Sequence, residues 1–211
     1  MKNPVIIFGA NSLGRSAKEI FETNEVIVYG FLDDDKKLHQ KEIDEAVVLG
    51  SMDDDGFLKL IGKKCEAFVA IDDNKLRKNM VKMIQEIRHV QPINAIHSKA
   101  SVSSKAEIGH GNFIDHSAYL APGTRVGSHC IICTKASIGV DAQLGDFVQV
   151  GAGSTINSGV KIGDESFVGS GVTIVSGITI GKGARIGAGS VVIAPVKTGE
   201  TVFGNPASPI K

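Results

Sequence analysis

A chain of 211 residues with 42% hydrophobic and 22% charged content is long enough for one large domain or two small ones, and too apolar for intrinsic disorder. Its 23 basic and 23 acidic side chains cancel, leaving no electrostatic footprint for nucleic acid or an anionic membrane, and no apolar run approaches the roughly 18 residues of a membrane span. Twenty-five glycines against nine Phe, two Tyr and no Trp exclude a core built on large rings; area must be buried by repeating small and branched residues.

The opening stretch to Gly9 is too short and too soon interrupted for a signal peptide, so a cytoplasmic protein is expected. Val5 to Phe8 reads as a buried parallel strand, and Leu13, Ala17, Ile20 and Phe21 have helical spacing. Val26 to Leu32, Val47 to Leu49 and Ala67 to Ile71 are further strand candidates. Asp73 to Arg88 predicts an amphipathic helix burying Leu76, Met80, Met83, Ile84 and Ile87. Strands alternating with helices at this spacing predict a small parallel, Rossmann-like α/β domain over residues 1–95. Composition then changes: six glycines precede Ile96 and 19 follow, while 30 of the 46 charged residues lie before it.

From Ile96 to Val192 every sixth residue, 17 in all, is Ile, Leu or Val, often followed by Gly, with a small residue at the fifth position. Six residues fit one short strand and its corner, and three such hexads close a triangular coil. Residues 96–211 therefore predict a parallel β-helix of about 5.7 coils, spaced about 4.8 Å apart. No insertion interrupts the hexads, so any site must use corners, faces or neighbours. The tail from Pro195 can cap the last coil. Cys130 and Cys133 form a Cys-x-x-Cys within alternating sequence rather than at a strand-to-helix turn, which favours packing over a redox or metal pair. His110, His116 and His129 lack the spacing of metal ligands, so no metal is expected.

The Gly9-to-Gly14 turn, the acidic run Asp33-Asp34-Asp35, the unbroken hexads and the ending Gly204-Asn205-Pro206-Ala207-Ser208 together resemble the left-handed β-helix acyltransferases, in particular the subgroup that acetylates sialic acid or nucleotide-linked 4-amino sugars. Left-handedness comes from this likeness alone. The resemblance implies a homotrimer with active sites between adjacent β-helices, a nucleotide-linked amino sugar as acceptor and acetyl-CoA as co-substrate. It places the nucleotide at Gly9, Asn11, Ser12, Gly14, Asp33 and Asp34. Read from the residues alone, this strand–turn–helix suits phosphate at a helix start, with Asp33 near the distance for a ribose hydroxyl. A tight turn without ligand remains open, and Asn11 stands where a dinucleotide fingerprint wants Gly. The likeness also lays acyl-CoA along Gly151, Gly169, Gly171, Gly187, Ala188, Asn205 and Pro206, although Gly and Ala equally suit the coil itself.

Acyl transfer from a thioester needs a group to take the acceptor's proton, and His suits it. The family places His followed by an acidic residue in the hexad before Leu144-Gly145-Asp146-Phe147; here Val140 holds the base's position and Asp141 the carboxylate's. A second family His aligns with Gln149. The candidates left are Asp141, provided burial raises its pKa, and His116, which follows Asp115 at the same hexad phase but on another corner. The expected activity is acylation of an amino or hydroxyl group on a nucleotide-linked sugar for surface glycans. The alternative is a non-catalytic binding homologue, turning on Val140.

Overall fold

The computed structural model describes residues 3–210, which divide into two compact units, one ending at Ser98 and the other beginning at Lys99. In the first, β1 (Val5–Phe8) is fully buried and pairs in parallel with two neighbours. The helix α1 (Ser12–Thr23) begins where the Asn11 side chain accepts the Gly14 N–H at 3.0 Å. It buries Leu13, Ala17, Ile20 and Phe21, as their spacing predicts. Then follow β2 (Val28–Leu32), β3 (Glu42–Ile43), β4 (Ala46–Gly50), the short α2 (Asp55–Leu58), β5 (Glu66–Val69) and α3 (Asn74–Arg88).

The strand order β3-β4-β2-β1-β5 is parallel except at β3, so the sheet is mixed rather than wholly parallel. The antiparallel strand depends on a two-residue turn, Asp44–Glu45, with φ of 46° and 68°. Both centres lie in the left-handed region, yet neither is Gly or Asn, so the usual hairpin signal is missing from the sequence.

The buried face of α3 is also different from the expected one. Arg77, Val81 and Ile84 are buried, whereas Leu76 and Ile87 are 58% and 50% exposed. Arg77 accounts for the rotation. Its guanidinium donates to the carbonyls of Ile71 and Asp72 at 2.6 and 3.0 Å, satisfying backbone groups just beyond β5, and so takes the inward position from the apolar stripe.

In the second unit, three hexads make each coil. Two-residue strands stack into three parallel sheets, running from Ser101–Val102 to Val191–Val192, from Glu107–Ile108 to Thr179–Ile180, and from Phe113–Ile114 to Arg185–Ile186. The register is 18 residues throughout, as in Tyr119 with Ser137 and Leu120 with Ile138. From Ile114 to Val192 the branched residue of each hexad is buried, with most fifth-position residues beside it, while Val102 and Ile108 of the first coil are half-buried. Polar occupants of the fifth position are satisfied by the next coil. Ser154 donates to the Gly169 carbonyl at 2.8 Å and accepts the Val172 N–H at 3.1 Å; Ser166 donates to the Gly181 carbonyl at 2.8 Å.

The tail completes the top coil. Val196 bridges to Ile180, and Thr201–Gly204 extends the sheet beyond Arg185–Ile186 before returning as Ala207–Pro209. Val196 and Val202 are buried there, so the last layer of apolar side chains is covered.

Because Ile156 is wholly inside and its neighbour Thr155 faces out, Ile156→Ala is expected to destabilise the coil by about 2–5 kcal/mol and Thr155→Ala by less than about 0.5 kcal/mol. Denaturant unfolding followed by circular dichroism measures both; similar costs would contradict the inward assignment.

Candidate functional site

The first site lies at the carboxyl ends of β1, β2 and β5, where an open parallel sheet presents its crevice. A cleft of about 400 Å³ is bordered there by Gly9, Asn11, Asp33 and Asp34. Gly9 has φ +108°, and a Cβ on it would stand 2.5 Å from the Ala70 carbonyl oxygen, so only glycine fits this turn. Asn11 caps α1 through its oxygen while its amide donates to the Ala70 carbonyl at 3.1 Å, tying the β1 turn to β5. Asp33 accepts the Ala10 and Asp35 N–H groups at 2.8 and 2.9 Å, and Asp34 accepts that of Met52 at 3.0 Å. These carboxylates thus shape the loops around the cleft as well as lining it.

The far wall consists of Ile71, Leu76, Asn79, Met80 and Met83. Leu76, Met80 and Met83 are the helical stripe expected in the core; the structure turns it toward the cleft instead. Periodicity shows that such residues share a face but does not show what that face meets. The cleft is therefore polar on the loop side and apolar on the helix side.

Two predicted members of this site are placed elsewhere. Ser12 lies by a separate hollow of about 600 Å³ that also takes in Arg15, Lys18, Glu22 and Asp44. An exposed Arg15–Asp44 pair at 2.6 Å spans that hollow, its hydrogen bond holding the Asp44 carboxyl below the usual range. Gly14 serves packing: a Cβ on it would stand 2.0 Å from the Gly9 carbonyl oxygen. Close approach of helix to strand requires glycine there.

In the coil unit, turns 18 residues apart stack into columns. One contains His116, Thr134–Lys135, Ala152–Gly153, Ser170–Gly171 and Gly189, linked by N–H to carbonyl bonds of 2.8–3.1 Å. All five coil residues predicted for acyl-CoA, Gly151, Gly169, Gly171, Gly187 and Ala188, lie on this column. Gly151 and Gly169 are fixed by the turn above, since a Cβ on either would come within about 2.6 Å of its backbone, and Gly187 by the ring of Phe203. Gly153, Gly171 and Gly189 instead have positive φ and nothing within 4 Å of a Cβ position. The column's outer surface is therefore open. Asn205 and Pro206 form the exposed turn of the tail hairpin.

Val140 and Asp141 belong to a different column, with Pro122 below and Gly159 above. The structure thus separates Asp141 from His116 within one chain. Val140 is 44% exposed. Asp141 is exposed too, so the burial that would make it a base is missing from the single chain. Its Oδ1 packs over Gly123, where a Cβ would stand 2.1 Å away. Gln149 is half-buried on the outer face of a sheet between Ile131 and Phe167.

At His116, the Ser117 hydroxyl lies 2.7 Å from Nδ1; Asp115 accepts the His116 N–H at 2.7 Å and the Thr134 hydroxyl of the next coil. Ser117 and Thr134 were not among the sequence candidates, because a Ser or Thr at a hexad corner is ordinary. Cys130 is buried and bonds the Gly145 carbonyl at 3.1 Å, and among the described residues no group of three or more His, Cys, Asp or Glu could hold a metal.

Comparison with known proteins follows this division. Residues 4–84 match the PglD N-terminal domain, residues 141–176 the bacterial transferase hexapeptide (six repeats), and residues 159–194 the hexapeptide repeat of succinyl-transferase. The chain superposes with TM-score 0.92 and 26% identity on a histidine variant of the perosamine N-acetyltransferase of Caulobacter crescentus in complex with CoA and GDP-perosamine, covering 100% of this chain and 98% of that one. The acetyltransferase domain of PglB from Neisseria gonorrhoeae, in complex with acetyl coenzyme A, gives 0.90 and 25%, with 100% of both chains covered. WeeI from Acinetobacter baumannii shares the fold at 0.87 and 23%, covering 98% of this chain and 99% of that one. Comparison with curated proteins gave no match. Fold and matches define the class as the hexapeptide-repeat acetyltransferases. Its first unit is PglD-like, matching the PglD N-terminal domain over residues 4–84.

Accessibility separates the three thiols. Cys65 and Cys130 are 1% and 0% exposed, and burial pushes the Cys65 thiol pKa up, whereas Cys133 is half-buried at a corner. Ellman's reagent is expected to titrate Cys133 at least about tenfold faster than the other two, which react on unfolding. Equal rates for all three in the native protein would contradict these placements.

Proposed function

We propose that this protein transfers an acyl group, most simply acetyl, from acyl-CoA to an amino or hydroxyl group of a nucleotide-linked sugar. The observation that carries this reading is the pairing, in one chain, of a cleft at the carboxyl ends of β1, β2 and β5 with an open column of coil turns. The cleft has Asn11 and the Asp33 and Asp34 carboxylates on one side and the Leu76–Met80–Met83 wall on the other, suited to a nucleotide's hydroxyls and its flat base. The open turns give a thioester arm a smooth surface with backbone groups for its amides. Full-length likeness to the perosamine N-acetyltransferase and to the PglB domain supports both assignments. The resembling family is trimeric, and a trimer is the working unit we propose.

In the reaction the acceptor's nitrogen or oxygen bonds to the thioester carbonyl carbon, a base takes its proton, and the carbon–sulfur bond breaks. The thiolate then gains a proton and leaves as CoA. Val140 cannot take the acceptor's proton. This supports a second reading, a protein that binds both ligands without turnover. The perosamine N-acetyltransferase holds CoA and GDP-perosamine in its His→Asn and His→Ala variants, so binding there does not need that histidine.

Calorimetry with acetyl-CoA, GDP-perosamine and a UDP-linked 4-amino sugar, followed by thiol detection of CoA release, tests these readings. The transferase reading expects acetyl-CoA and at least one sugar to bind and wild type to release CoA only when acceptor is present. Binding without release, with Val140→His raising the rate by about 100-fold or more, would select the second reading. Failure of acetyl-CoA and of both sugars to bind contradicts both.

A further inference from the structure

We propose that His116 is the base for this transfer and that Ser117 is its positioning residue; the proposal rests on the transferase reading above. The reaction needs a proton acceptor, Val140 cannot be one, and Asp141, exposed in the single chain, packs its Oδ1 over Gly123. His116 is half-buried, so part of it remains accessible, and its ring is oriented. The Ser117 hydroxyl lies 2.7 Å from Nδ1, and when Nδ1–H is the donor in that bond, Nε2 becomes the basic nitrogen.

The turn beneath the ring is tied on both sides. Asp115 accepts the His116 N–H at 2.7 Å with one oxygen and the Thr134 hydroxyl with the other, while the His116 carbonyl accepts the Lys135 N–H at 3.1 Å. Thr134 and Lys135 belong to the next coil, so the imidazole is anchored to the rigid stack. A base held in this way meets the geometric requirement for catalysis, a ring fixed by a hydrogen bond at the nitrogen that does not react.

His116 also stands on the column that carries Gly151, Gly169, Gly171, Gly187 and Ala188. Ala188 is four coils above it, roughly 19 Å at about 4.8 Å per coil. A thioester arm laid down the open turns from Ala188 therefore runs toward the imidazole. The other five histidines are placed differently. His97 and His129 are buried, and His129 stacks on Phe147 with centroids 4.9 Å apart. A ring nitrogen of His39 is 2.7 Å from the Asp33 carbonyl, His89 is the C-cap of α3, and His110 is on the column of Ser128 and Asp146.

In the proposed step, Nε2 of His116 takes a proton from the acceptor's amine as its nitrogen bonds to the acetyl carbonyl carbon. The carbon–sulfur bond breaks and its electron pair goes to sulfur. The thiolate is protonated by His116, which returns to its starting state, and the products are the amide and CoA.

The test uses the full chain with acetyl-CoA and whichever of GDP-perosamine and the UDP-linked 4-amino sugar it accepts. His116→Ala and His116→Asn are expected to lower kcat about 100-fold or more, with acetyl-CoA affinity within about twofold of wild type, and added imidazole is expected to restore part of the rate in His116→Ala. Ser117→Ala is expected to lower kcat about tenfold at unchanged KM, and Ser117→Asn, whose amide oxygen can accept from Nδ1–H and which suits the left-handed backbone at φ 58°, to recover part of it. A wild type that releases no CoA overturns the transferase reading and this proposal with it. Wild-type kcat in both His116 variants overturns this proposal alone. Loss of acetyl-CoA binding together with turnover, without imidazole rescue, overturns it in favour of a structural role.

Discussion

The stacking of each residue on the one 18 positions later governs the second unit. Backbone N–H and carbonyl groups pair coil to coil, so every corner, strand and interior position recurs directly above its predecessor. A residue's neighbours are then fixed by its number modulo 18. The interior is narrow, which explains the scarcity of aromatic residues; successive turns approach closely, which explains much of the glycine. Neutral overall charge hides a charge-rich first unit and a coil that is sparse in charge.

The same constraint decides what a corner can do. On the column of Gly151, Gly169 and Gly187, the upper coils carry only Gly, Ala and Ser, while the lower ones carry Asp115, His116, Ser117, Thr134 and Lys135. Chemistry is concentrated at one end of an otherwise bare surface. On the neighbouring column Val140 and Asp141 are both exposed. In the first unit the ordering element is different: Asn11, Asp33 and Arg77 spend their polar atoms on backbone groups at the carboxyl ends of β1, β2 and β5. Loop shape and cleft are therefore set by the same side chains.

Much of this was legible beforehand where a period repeats. Seventeen hexads define the coil, its inward residues and its uninterrupted corners, because a pattern sustained over so many repeats fixes which residues stack on which, though not the hand of the coil. The separation of His116 from Asp141 also follows from counting hexads. Single, local events were harder to read. The Asp44–Glu45 hairpin uses left-handed residues that normally avoid that region, and with Arg77 buried the stripe of Leu76, Met80 and Met83 turns toward the cleft. Glycine is the ambiguous letter throughout: Gly14 and Gly169 answer to packing, Gly171 and Gly189 to backbone conformation, and neither need can be told from ligand contact without coordinates.

In the proposed function two ligands are received by two different units, the nucleotide-linked sugar at the strand-end cleft and acyl-CoA on one column of the coil. Hydrogen–deuterium exchange of the full chain, with acetyl-CoA and with GDP-perosamine or a UDP-linked 4-amino sugar added separately, measures this directly. The sugar nucleotide is expected to slow exchange at Gly9–Gly14, Asp33–Asp35 and Met52, and acetyl-CoA to slow it at the turns around Gly153, Gly171 and Gly189. Protection by both ligands of the same segment, or protection by acetyl-CoA confined to another column, would contradict that assignment.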